Sequence, residues 1–215
     1  MKKQGLIALL LVLVMALFAL PVSYADSPVE GRAGRAEMRF MQGMIDHHQM
    51  ALDMAADCLE RAATESVRTV CQNIIDAQSA EIEQMQGWLL EWYNIQYTPM
   101  PMMDMMGMMG GMGSMGDGHG GHGSMGMQDG PFIDPPMMMG MFAGFNQVEG
   151  LEYEIAWTEA MIDHHDDALH MAERLLLRAP EGTGHPELRA LAGQIIADQT
   201  AEIEQMEALI LELAG

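Results

Sequence analysis

The sequence predicts an all-α protein: two tandem helical hairpins packing as a four-helix bundle, joined by a disordered linker rich in methionine and glycine. Three observations predict it. A block of about sixty residues occurs twice. Within each block apolar residues recur at spacings of three and four. Between the blocks lies a run with no period at all, in which glycine is too dense for a stable helix.

Residues 1–25 stand apart. Lys2 and Lys3 precede an unbroken apolar stretch from Gly5 to Leu20, Pro21 breaks it, and Ser23 and Ala25 are small residues at cleavage-site positions. This reads as a secretory signal peptide, so the chain is expected outside the cytoplasm, in the periplasm or beyond. No later segment is apolar enough to span a membrane. The remaining chain carries 8 Arg against 31 Asp and Glu, a formal charge of −23. Such a charge repels nucleic acid and anionic lipid surfaces and favours cations.

The first hairpin is expected over 36–96. Phe40, Met44, His47, Ala51, Met54, Ala55 and Cys58 form one stripe. After a polar turn near Thr64, the residues Val67, Val70, Cys71, Ile74, Gln78, Ile82, Met85 and Leu89 form a second. A short connection makes two such helices antiparallel neighbours. Cys58 and Cys71, the sole cysteines, stand equally far from that turn, and export favours a disulfide. Closing a loop of about 14 residues is worth roughly 3 kcal/mol in the chain-entropy model.

The linker spans 97–150, and from Thr98 to Phe145 it holds 15 of the 26 methionines. Its Met-x-Met and Met-x-x-Met spacings would let a flexible chain wrap several sulfurs around one soft ion. His119 and His122 add imidazoles suited to a harder one. The bland alternative is a linker whose methionines consume oxidants.

The second hairpin is expected over 151–214. Met161-Ile162-Asp163-His164-His165 repeats Met44-Ile45-Asp46-His47-His48, and Gln199-Thr200-Ala201-Glu202-Ile203-Glu204-Gln205-Met206 repeats Gln78-Ser79-Ala80-Glu81-Ile82-Glu83-Gln84-Met85. Four extra residues fall in the loop around Gly182 and Gly184. Leu175 and Ala192 replace the cysteines, so the staple belongs to one hairpin only.

Helical advance of about 100° per residue puts His47 mid-stripe and His48 at its edge. Counting about the turn sets His47 level with Ile82 and Glu81, and Met44 level with Met85. His47, Met44, Met54, Gln78, Glu81 and Met85 are thus candidates to converge in one layer. His164, Met161, Met171, Gln199, Glu202 and Met206 do the same in the second copy. Taken singly, these residues read as core filler and satisfied histidines. The doubled pattern favours a metal site. Thioether with imidazole points to copper, Cu(I) favoured and Cu(II) allowed, with Ag(I) as surrogate. Zinc would want cysteine or a closed set of histidines.

Enzymatic readings find little support. A ferritin-like di-iron oxidase wants Glu-x-x-His on its helices, and Met44 and Met161 stand where those glutamates belong. No nucleophile elbow, phosphate loop or zinc-protease motif is present.

The Met-x-x-His-His-x-x-Ala run followed by Gln-x-x-Glu-Ile-x-x-Met resembles the DUF305 family over about 37–93 and 152–213. That resemblance implies a ferritin-like helical fold and export. The chain is similar to a cyanobacterial periplasmic member that binds copper through methionine and histidine and supports copper tolerance. By position it implies ligands at Met44, His47, His48, Met50 and Met54, and at Met161, His164, His165 and Met171. The copies differ at Met50 against Asp167 and at Asp53 against His170, which makes His170 a further candidate and the second site harder in character. The expected role is copper sequestration or delivery, with a copper exporter or another copper protein as partner. A helical module whose buried histidines are purely structural is one alternative, and a metal-redox enzyme of ferritin-like type another. Pairing of the hairpins within one chain or in a homodimer is left open.

Overall fold

The computed structural model of the chain describes residues 27–100, 145 and 147–215. Four helices account for almost all of them: α1 Gly31–Arg61, α2 Glu65–Tyr93, α3 Gly150–Arg178 and α4 Pro186–Ala214. No strand occurs among the described residues, and no described helix is long and apolar enough to cross a membrane. The signal-peptide segment and most of the Met-rich linker, with His119 and His122, lie outside the described residues.

α1 and α2 form one hairpin, α3 and α4 the other, and the two unite as a four-helix bundle chiefly through α1 against α3. Helix α1 begins at Gly31, ahead of the expected start at 36. Turn chemistry explains the hairpins. In each, an arginine from the second helix reaches back to unpaired carbonyls at the end of the first. Arg68 donates to the carbonyls of Leu59 and Ala62, and Arg189 to those of Leu176 and Ala179. These carbonyls lack helical partners, and a cation there also opposes the helix dipole. The longer second turn uses Gly182 at φ +80°, a conformation costly for residues with a Cβ. Cys58 and Cys71 are disulfide-bonded across the first hairpin, with Cα atoms 6.3 Å apart.

The hairpins pack antiparallel, the turn of each against the open end of the other. One apolar cluster joins Cys58, Ala62 and Val67 of the first turn to Tyr153, Trp157 and Leu209. The other joins Phe40, Leu89 and Trp92 to Leu175, Ala179 and Leu188 of the second turn. Two buried glutamates bolt these contacts together. Glu154 accepts hydrogen bonds from the Ala63 and Thr64 amides, both at 2.7 Å, and from Thr64 Oγ1 at 2.6 Å. Glu37 accepts from the His185 amide at 2.6 Å, from His185 Nδ1 at 2.7 Å and from the Tyr93 hydroxyl at 2.5 Å. A carboxylate at a helix N-terminus satisfies orphan amides and meets the positive end of the dipole. Here each comes from the opposite hairpin, Glu37 capping α4 and Glu154 capping α2. Gly184 makes room for Glu37, since a Cβ there would lie 2.1 Å from its Oε1. Trp92 completes the joint by stacking on His185 with ring centroids 3.8 Å apart.

Candidate metal centre

Between the two apolar clusters lies a polar layer. His47, His48, His164, His165, Gln78 and Gln199 meet there, and none is more than 3 % exposed. The pseudo-twofold relation between the hairpins puts His47 and His164 at the centre, with ring centroids 3.7 Å apart. His48 and His165 flank them, their rings 6.3 and 6.2 Å from their own neighbours. Consecutive histidines can both be buried because α1 and α3 are each covered on two sides, by the partner helix of the hairpin and by the facing hairpin. His48, expected at the stripe edge, is therefore as buried as His47.

Protonation follows from the partners. His48 Nε2 lies 2.6 Å from Glu81 Oε2 and His165 Nε2 2.8 Å from Glu202 Oε2. An ionised carboxylate only accepts, so Nε2 carries the proton in both rings. His164 Nε2 lies 3.0 Å from the His47 carbonyl oxygen and donates to it likewise. In a neutral imidazole whose Nε2 donates, the lone pair falls on Nδ1. The Nδ1 atoms of His48, His164 and His165 are buried without a hydrogen-bond partner. Burial first, and the neighbouring imidazoles after it, hold the pKa of His47 and His164 well below the usual histidine value. Both Gln78 amide atoms and Gln199 Oε1 are also unpartnered. Buried polar groups are almost always paired, so this density of unpartnered polar atoms marks the layer out.

The sulfurs do not all join the layer. Met44 and Met85 sit in one apolar cluster with Phe40, whereas Met50, Met54, Met161 and Met206 sit in the other with Trp157. Met44 and Met54 thus flank the histidines from opposite sides instead of converging, since ten residues of helix span about 15 Å. Met171 is half-buried beside the first of these clusters. His170 stands apart on the surface, 63 % exposed, between Asp166 and Glu173 at 3.5 and 3.6 Å. Glu81 and Glu202 grip the second histidine of each pair, not the first. Among the described residues no three His, Cys, Asp or Glu side chains form a group that could hold a metal ion, so coordination in the layer would need methionine sulfur beside imidazole. Glu37 and Glu154 escaped sequence reasoning, although the repeat extends to them: each stands ten residues before the first histidine of its pair.

Fold and site together define a four-helix bundle whose two hairpins share a buried layer of paired histidines. The model of the domain of unknown function DUF305 matches residues 37–210, and the chain belongs to that family. Among curated proteins nothing matches. Among solved structures the chain is similar to a DUF305 protein from Streptomyces coelicolor, with TM-score 0.59 and 23 % identity over 84 % of this chain and 93 % of that one. It is also similar to CopM in the Cu(II)-bound form, with TM-score 0.55 and 28 % identity over 82 % and 96 %. A DUF305 fragment from Deinococcus radiodurans gives TM-score 0.57 and 27 % identity over the same shares.

Proposed function

We propose that the protein is exported and binds copper, as Cu(I) in the histidine layer between its hairpins, for sequestration or delivery. The observation that carries this reading is the set of bare Nδ1 atoms on His48, His164 and His165. Three separate acceptors, Glu81, the His47 carbonyl and Glu202, hold the Nε2 side of those rings, which is how ligand histidines are oriented. Buried thioethers lie one helical turn away on either side, and this donor set suits a soft monovalent ion. CopM has been solved in Cu(II)-, Cu(I)- and Ag-bound forms. The signal-like residues 1–25 support export. The Met-rich linker, with His119 and His122, supplies a second place of capture, and a copper exporter or copper protein is the natural recipient.

A structural reading of the histidines has one observation in its favour: three of the four rings already hold a hydrogen bond. It leaves the bare nitrogens and Gln78 unexplained. Titration with Cu(I) against a competing chelator separates the two, with the intact chain and with residues 101–144 removed. Copper binding predicts tight uptake by both forms, and weakening of the shortened one on His47→Ala with His164→Ala. Uptake no better than a methionine-rich peptide by either form would remove the copper reading.

A further inference from the structure

The two joints between the hairpins are built alike but from different residues. Thr64 and His185 hold equivalent places, each the residue before the second helix of its hairpin. At the first joint Glu154 accepts from a hydroxyl, Thr64 Oγ1, at 2.6 Å. At the second Glu37 accepts from an imidazole, His185 Nδ1, at 2.7 Å. A hydroxyl is thus enough to complete such a cap, and the ring brings a second nitrogen that the cap does not use. With Nδ1 donating, a neutral imidazole carries its lone pair on Nε2. That atom is buried without a hydrogen-bond partner, in a residue 3 % exposed. Buried polar atoms are rarely left so. A carboxylate on one ring nitrogen and a bare lone pair on the other is the arrangement that holds a histidine ready for a metal ion.

We propose that His185 Nε2 binds one soft monovalent cation, Cu(I) or Ag(I), at a site separate from the histidine layer, with Met41 as the thioether donor. Glu37 lies ten residues before His47 on α1, roughly 15 Å along the helix. Charge selects the valence. Glu37 is buried and sets one negative charge beside the ring, so one positive charge leaves the buried site neutral and a divalent ion does not. Chemistry selects the softness. The Glu37 oxygens already accept from the His185 amide, the ring and the Tyr93 hydroxyl, which leaves thioether as the donor to join an imidazole. Met41 follows Glu37 by four residues and so shares its face of α1. It is fully buried in the same apolar cluster as Trp92, whose ring stacks on His185. Access is local. Glu181, Gly182 and Thr183 of the lengthened second turn are exposed and stand just before His185, so the ring lies behind a surface turn.

The test adds Ag(I) in stepwise excess to the full chain and follows the His185 ring nitrogens by 15N NMR, with the Trp92 indole N–H as a second readout. His185 Nε2 is expected to shift strongly while Nδ1 keeps its bond to Glu37. Glu37→Gln, which retains an acceptor, is expected to weaken this site by about 10–100-fold, and Met41→Leu, close in volume, to weaken it as well. His185→Thr restores the hydroxyl of the first joint. It is expected to keep the helicity by circular dichroism and abolish the Trp92 response. An unmoved His185 Nε2 in the intact chain at excess Ag(I), or a Trp92 response that survives His185→Thr, overturns the proposal. If the layer imidazoles respond and His185 does not, this site is lost and the copper reading stands. If His185 alone responds, this site stands and the copper reading of the layer is lost.

Discussion

His47 and His164 face one another across the boundary between the hairpins, ring centroids 3.7 Å apart, with His164 Nε2 donating to the His47 carbonyl at 3.0 Å. One residue from each copy thus meets at the centre of the bundle, in the layer that separates its two apolar clusters. The consequences concern stability as much as binding.

The first is a pH dependence. Burial, and then the adjacent rings, keep both histidines neutral in the fold at pH values where they protonate in the unfolded chain. The folded pKa is depressed below an unfolded value near 6.5. The unfolded chain therefore takes up protons that the folded chain does not, and stability is complete above about pH 6.5 and declines as pH falls below it. Each group contributes a slope of at most about 1.4 kcal/mol per pH unit. Urea unfolding of the metal-free chain is expected to lose midpoint between about pH 7 and pH 5. His47→Gln with His164→Gln is expected to flatten that loss. Parallel profiles for the two proteins would count against neutral rings.

Glu154 supports a second expectation. Truncating it leaves the Ala63 and Thr64 amides and the Thr64 hydroxyl without their acceptor. Charge-assisted bonds to buried donors make Glu154→Ala cost about 2–4 kcal/mol in urea. Glu154→Gln should cost less, since one amide oxygen can still accept. A cost below about 0.5 kcal/mol, typical of a surface change, would show that the cap does not hold the hairpins together.

The orphaned amide of Gln78 gives a prediction of opposite sign. A buried amide without partners costs about 1–3 kcal/mol, so Gln78→Leu is expected to raise the metal-free unfolding midpoint while weakening Ag(I) uptake. A group kept at the expense of stability is the pattern of a functional site. A variant that is less stable and binds Ag(I) unchanged would make Gln78 a structural residue.

How much of this was legible in the sequence depends on range. The hairpins, their turns and the Cys58–Cys71 bond follow from periodicity and counting about Thr64. The inward place of His47 follows from the same stripe. His48, expected at the stripe edge, is buried because single-helix geometry ignores a second covering element, and here the facing hairpin covers it. The expected convergence of Met44 with Met54 failed on axial rise: the two share a face but not a level. Glu37 and Glu154 are illegible because their partners lie 56 to 148 residues away in sequence, where no spacing rule reaches. The bond from the Tyr97 hydroxyl to Asp46 is hidden for a related reason, since Tyr97 falls within the expected linker.

The disulfide offers a further check. It closes a sequence separation of 13 residues within a hairpin that Arg68 and Glu154 also hold. Reduction, or Cys58→Ala with Cys71→Ala, is expected to lower stability by about 3 kcal/mol and to leave Ag(I) affinity nearly unchanged, because neither sulfur reaches the histidine layer. Loss of binding on reduction would place the cysteines in the site.

The most direct measurement is X-ray absorption of the chain without residues 101–144, loaded with one equivalent of Cu(I). The expected first shell contains imidazole nitrogen, and it vanishes together with tight binding in His47→Ala with His164→Ala. A shell of sulfur alone, or one unchanged by those substitutions, would contradict a copper site in the layer between the hairpins.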